Sequence, residues 1–179
     1  DGNERRHVYR VVRKRFPIPQ EAKTGYAVHD SGRDKARARE IVIAFEVDAK
    51  TGLPAPSRHP LYTFLPTQYF PPLKFSVQGD FILDTARSRV DEGLEWNRRL
   101  CRFIGDLLTY SIEGFQGDDG SHVRGFKEDE LARYHFYRLL PSKSDFQAGA
   151  EADFIQRHFV EMFWKYCRDN QVVITAEGK

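Results

Sequence analysis

Apolar and polar positions alternate along the first half of the chain, and the rhythm turns helical near residue 90. Val8 to Phe16 (VYRVVRKRF) is β-branched and aromatic, which predicts a strand, although a heavily basic one. Ile41, Ile43, Phe45 and Val47 share one face of a second predicted strand, with Glu46 and Asp48 marking the other. Leu61 to Leu65 (LYTFL) reads as a short apolar strand closed by Pro66. Leu73, Phe75 and Val77 alternate with Lys74, Ser76 and Gln78, the pattern of a strand with one wet face. Between the first two strands, Pro17 to Arg39 is polar, highly charged and interrupted by Gly25 and Gly32, which predicts a flexible loop or insertion over 17–39.

From Val90 onward the period changes. Val90, Leu94, Leu100, Phe103, Ile104, Leu107, Leu108 and Ile112 recur at helical spacing, with Glu95, Arg98, Arg99, Arg102 and Asp106 opposite. This predicts an amphipathic helix over about 90–113. A glycine-rich break follows. Lys127 to Leu140 then reads as a second helix, with an acidic start at Glu128-Asp129-Glu130 and Pro141 as its stop. Phe154, Ile155, His158, Phe159, Met162, Phe163 and Tyr166 mark a third, running into a last strand at Val172 to Thr175. Strands followed by helices predict an α+β fold, a mostly antiparallel sheet of four to five strands carrying three helices.

The chain's 179 residues suffice for one domain with a real core. Hydrophobic residues make up 40% and charged residues 30%, and the net charge of +2 is too small to mark the whole chain as nucleic-acid-binding. Cys101 and Cys167 both fall in apolar helical patterns and form no CxxC pair, so two free thiols and a reducing, cytoplasmic setting are expected. No apolar run approaches the ~20 residues that a membrane span needs. The chain opens at Asp1 rather than Met, the mark expected of a piece cut from a longer protein.

Metal and nucleophile motifs are absent: there is no HExxH, GxSxG, P-loop or GxGxxG. His158 lies on the apolar face of the last helix and reads as a core histidine. Asp118 to His122 (DDGSH) lacks the repeating ligands of a calcium loop and reads as a solvated turn. Arg10, Arg13, Lys14 and Arg15, joined by Arg98, Arg99 and Arg102, have two readings. They form a phosphate-binding surface for nucleic acid, or a solvated edge strand whose charges block edge-to-edge pairing.

Asp84 to Arg89 (DTARSR) also has two readings. In one, Asp84 or Thr85 caps a helix and the arginines are solvated. In the other, Arg87 and Arg89 await an anion, because cations sit poorly at the positive end of a helix. Phosphate suits the planar fork of arginine, and the unpaired N–H groups of a helix start would add to the site.

The stretch from Leu61 to Leu100 resembles sacsin-like proteins, large chains with a nucleotide-binding domain of the gyrase, heat-shock chaperone, histidine kinase and MutL (GHKL) type. The resemblance is carried by Phe64-Leu65-Pro66-Thr67, Asp80-Phe81, Arg87 and Trp96-Asn97, and extends thinly from Ile41 to Lys179. More distantly, the stretch is similar to the middle domain of the ninety-kilodalton heat-shock chaperones, in which an arginine reaches the γ-phosphate of ATP held by the preceding domain. Arg87 matches that arginine; Ala86 stands where the chaperones have Ser, and Asp91 where they have Gln.

The resemblance implies a single coupling domain over 1–179 that follows an N-terminal GHKL ATPase domain of the same parent. Arg87 would be its acting residue, with Arg89 as a second cation. ATP and magnesium are implied for the parent and no cofactor for this chain alone, because the Asp-x-Gly of Asp30-Ser31-Gly32 lacks the following glycine and no Glu/Asn helix precedes it. The expected partners are that ATPase domain and a client protein, with no membrane. The rival expectations are the nucleic-acid module and a plain protein-interaction domain.

Overall fold

The computed structural model describes residues 7–130, 132–140 and 154–169. Its centre is a five-stranded sheet. Strand β1 (Val8–Pro17) pairs antiparallel with β2 (Ala38–Val47) over their full lengths, with Val12 opposite Ile43 and Lys14 opposite Ile41. Beyond β2 lie β5 (Ser76–Gln78), β3 (Leu61–Thr63) and β4 (Leu65–Pro66), in the order β1-β2-β5-β3-β4. A separate hairpin joins β6 (Phe115–Gln116) to β7 (His122–Val123).

The sheet is mixed, which corrects the expectation of a mostly antiparallel one. β3 runs parallel to β5, with Leu61 beside Val77, while β4 turns back antiparallel on β3. Strand periodicity reports which face is buried and is blind to the direction of the neighbour.

Helix α1 (Tyr26–Asp30) is a single turn, and α2 (Glu95–Glu113) and α3 (Phe154–Asp169) are the long ones. α2 lies across the sheet. Its Trp96, Leu100, Ile104 and Leu107 pack into one core with Ile41, Ile43, Phe45, Leu61, Phe75 and Val77, all buried. Burial of these side chains is worth roughly 1.5–3 kcal/mol each before the ordering entropy is counted. α3 packs against α2. Tyr166 and Lys127 both donate to the Glu113 carboxylate at the C-terminal end of α2. Cys101 is buried within the core face of α2. His158 is half-buried and bonds through Nδ1 to the Phe154 carbonyl at 3.0 Å.

Of the three helices expected, the one over Lys127–Leu140 does not form. The segment is a chain of 3-10 turns at Phe126–Glu128, Ala132–Tyr134 and Phe136–Leu139. The break falls at Asp129. Glu128 folds back to accept from the Gly125 N–H, Asp129 is extended, and its carboxylate accepts from the Ala132 N–H at 3.0 Å to open a new turn. An aspartate that bonds nearby main chain in this way competes with a continuous helix.

Residues 17–39 are also more built than a loop. They hold helical turns at Gln20–Lys23, α1 and Arg33–Lys35, and Ile18, Ala22 and Val28 are buried. The predicted last strand at Val172 to Thr175 lies outside the described residues. Among those described, no helix is long and apolar enough to cross a membrane.

Candidate functional site

The stretch that the sequence marked is a closed loop. Leu83 and Val90 form an isolated antiparallel bridge, and residues 84–89 span it. The Asp84 N–H donates to the Arg89 carbonyl at 3.0 Å, and the Arg87 N–H to the Asp84 carbonyl at 3.0 Å. The Asp84 carboxylate accepts from the Ser88 N–H at 2.7 Å, the Ser88 hydroxyl at 2.7 Å and the Arg89 N–H at 3.2 Å. An aspartate that organises its own turn in this way is a common device of short loops.

This geometry corrects the sequence reading at one point. α2 begins at Glu95, so Arg87 and Arg89 precede it and do not sit on a helix N-terminus. The Asp91 carboxylate accepts from the Gly93 N–H at 3.0 Å and keeps residues 91–94 in a turn.

The Ser88 hydroxyl, followed by the Ser88 and Arg89 main-chain N–H groups, holds the Asp84 carboxyl below its ordinary range. A carboxyl depressed in the folded state adds stability above its unfolded pKa, and that stability is lost as pH falls through the folded value. The amide shifts of Ser88 and Arg89 are therefore expected to move in an NMR titration with a midpoint below the ordinary aspartate value of about 3.9. A midpoint at or above that value would mean that the three bonds are not made.

Arg87 itself has a left-handed backbone, φ 56°, and Phe64 is the other such non-glycine residue among those described, φ 65°. The two positions meet. The Arg87 guanidinium donates to the Thr63 hydroxyl at 2.9 Å and the Leu65 carbonyl at 3.4 Å, on either side of Phe64. The Arg87 carbonyl in turn accepts from the Gln68 N–H at 3.1 Å. A left-handed non-glycine residue costs of order 1 kcal/mol and persists only where its surroundings impose it. Here Arg87 bonds to the two residues that flank the other, Phe64.

The guanidinium remains exposed, and among the described residues no carboxylate pairs with it. Neither Asp84 nor Asp91, its nearest acidic neighbours in sequence, takes it as a partner. Phe64 and Leu65 beside it are 80% and 68% exposed. Arg89 contributes differently: its N–H serves Asp84, and its charge helps to hold that carboxyl ionised.

Two consecutive residues of α2 hold the stems of this loop. Trp96, buried, donates from its indole to the Asp80 carbonyl at 2.8 Å. Asn97, fully buried, accepts from the Ile82 N–H at 2.9 Å and donates to the carbonyls of Ile82 and Asp91, both at 2.8 Å. The sequence singles out Trp96-Asn97 as a pair without showing what the pair does. Asp80 is the next anchor. Its carboxylate accepts from Arg33, at 3.0 Å from Nε and 2.5 Å from a terminal nitrogen, and from Arg39 Nε at 2.6 Å. This clamp ties residues 33–39 to the strand end below the loop, and Arg39 also stacks over Trp96 at 5.6 Å.

Asp80→Ala would leave two half-buried guanidinium groups facing each other without a counter-charge. It is expected to cost about 2–3 kcal/mol in urea unfolding, less than a fully buried pair because both arginines keep some solvent. A loss under about 0.5 kcal/mol would show that the clamp is decorative.

The basic residues of the rival reading do not assemble into one patch. Strand alternation puts Arg10 and Lys14 on the helix side and Arg13 and Arg15 on the other. Arg10 lies 4.2 Å over the Phe126 ring and donates to the Arg124 carbonyl, and burial lowers its pKa from the ordinary arginine value. Lys14 sits 4.9 Å from the Phe115 ring and 5.4 Å from that of Tyr110. The Arg15 N–H donates to Asp118 at 3.1 Å, so Asp118 covers the free edge of β1. On α2, Arg98 and Arg102 pair with Glu95, and Arg99 with Glu21. Asp119 binds Ser121, and His122 pairs with Glu128, so the DDGSH turn is taken up locally. Among the described residues, no group of three His, Cys, Asp or Glu side chains is placed to hold a metal ion.

Fold and site together define an α+β domain that presents one arginine on a pinned loop at the edge of a mixed sheet. The chain is similar to Protein NO VEIN of Arabidopsis thaliana, with 35% identity over 86 residues. The match spans 46% of this chain and 3% of that protein. No protein-family model matches the chain. No solved structure matches it either.

Proposed function

We propose that this chain is the coupling domain of a sacsin-like GHKL ATPase, offering Arg87 to the γ-phosphate of ATP held by a preceding domain of the same parent. The observation that carries this reading is the state of Arg87: an exposed residue without a carboxylate partner among the described residues, on a loop held at a strained backbone angle. Nucleotide and magnesium belong to the preceding domain. Arg87 adds hydrogen-bond donors where negative charge grows as the phosphoryl group departs. Its contacts with Thr63 and Leu65 are neutral and exchangeable, so a phosphate oxygen can replace them without breaking an ion pair. The exposed Phe64 and Leu65 provide an apolar rim for a docking domain.

Coupling follows from chemistry. The contact exists while the γ-phosphate is present and disappears with it, so the orientation of the two domains depends on nucleotide state. The test compares ATP binding and ATP turnover by the parent protein with and without Arg87→Ala. Lost turnover with retained binding supports the reading, and unchanged turnover rejects it.

A further inference from the structure

We propose that Asn97 is the positioning residue of the Arg87 loop, the group through which α2 sets where Arg87 points. For its catalytic consequence the inference rests on the role proposed for Arg87; for the anchoring it rests on geometry alone.

The loop is short, polar and exposed, and it carries two costs. Arg87 is held at a left-handed φ, and residues 84–87 are all exposed. Burial therefore does not fix it. Asp84 shapes the turn itself, and Asn97 holds its two stems. One side chain uses its acceptor and both donors on the two stems, Ile82 before the loop and Asp91 after it. The Asp91 N–H also donates to the Ile82 carbonyl at 3.1 Å, so that carbonyl is shared by the partner stem and by Asn97.

An asparagine suits this place because the stems present one N–H and two carbonyls. A carboxylate has no hydrogen to give either carbonyl, and a leucine has neither donor nor acceptor. With the side chain wholly buried, water cannot stand in for it, so its loss leaves the Ile82 N–H unpaired and takes one of two bonds from each carbonyl. Asn97 lies in the first turn of α2, whose apolar face (Trp96, Leu100, Ile104, Leu107) is fixed in the core. A rotation or slide of α2 would therefore be passed to the loop. Trp96 makes the neighbouring bond to Asp80 and keeps the strand end in register with the same helix turn.

The test is amide hydrogen exchange on this chain with Asn97→Ala. The N–H groups of Asp84, Ser88 and Asp91 are expected to exchange about tenfold faster or more, while those of Val12 and Ile43 in the β1–β2 ladder keep their protection. Asn97→Asp retains volume and one acceptor and gives the same pattern, and it carries the test if the alanine chain does not fold. Unchanged exchange in the loop overturns the proposal. So does an equal rise in loop and sheet, which would mean that Asn97 serves global stability only.

In the parent protein, Asn97→Ala is expected to lower kcat for ATP by about tenfold with KM little changed. In an Arg87→Ala background it is expected to add no further loss, because the two residues act as one unit. Full additivity overturns the positioning role. If Arg87→Ala leaves turnover intact, the functional reading falls, while the exchange result still decides whether Asn97 holds the loop.

Discussion

Arg87→Ala in the parent protein is expected, on the role proposed for it, to lower kcat for ATP hydrolysis by about a thousandfold, with ATP affinity changed by no more than about twofold. The size follows from where the residue would act. An arginine that reaches a phosphoryl group only as charge develops contributes to the transition state and little to ground-state binding, so its removal shows in kcat rather than KM. Arg87→Lys keeps the charge and loses the planar fork. It is expected to recover less than a tenth of the lost rate. Arg89→Ala is a control of graded size: its N–H role at Asp84 is main-chain and survives the substitution, so a small effect is expected. Single-turnover measurement with saturating ATP separates these outcomes. An Arg87→Ala protein with normal turnover would remove the arginine-finger role.

The second large effect is on stability, at Gly125. A methyl group there would lie 2.2 Å from the Gly114 nitrogen, 2.5 Å from the Glu113 carbonyl carbon and 2.5 Å from the Ile112 carbonyl oxygen. All three are main-chain atoms at the end of α2, so no side-chain rotation relieves the clash. Gly114 itself sits at φ 84° and ψ 156°, a conformation open essentially to glycine alone, which ends α2 and lets the chain at Gly125 approach it. Behind this contact Phe126 packs edge-on to Phe45 at 5.1 Å and carries Arg10 on its other face. Gly125→Ala must therefore move either the helix end or a core aromatic. The expected cost is about 3 kcal/mol or more, or a drop of roughly 10 °C in melting temperature. A melting curve within about 2 °C of the parent chain would show that the two segments do not pack this closely.

Much of the architecture was legible in one dimension. β1, β2, α2 and α3 fall where the hydrophobic period places them, because each is long enough for its buried face to repeat several times. The short strands were legible as strands but not as a sheet. Leu61–Thr63 and Ser76–Gln78 carry three residues each, and nothing local says that they run parallel. The segment 127–140 had a helical pattern and failed to become one helix because Asp129 is extended and caps a new turn instead of continuing the first. Phe64 and Arg87 could be singled out as residues, but their left-handed angles, and the bond from Arg87 to Thr63 across 24 positions, could not.

The amino-acid sequence by itself determined which faces are buried, that the fold is α+β, and that two arginines stand in a polar stretch where the periodicity changes. Only the tertiary structure decided what those arginines are. It moved the start of α2 to Glu95, closed residues 84–89 into a loop, gave Asp84 to Ser88 and Arg89, and left Arg87 exposed against Thr63 and Leu65. The physical reason is that periodicity encodes burial, which is a property of single positions averaged over an element. The placement of Arg87 depends on a few directed hydrogen bonds between distant positions, Asn97 to Ile82 across 15 residues foremost among them, and such bonds have no period to read.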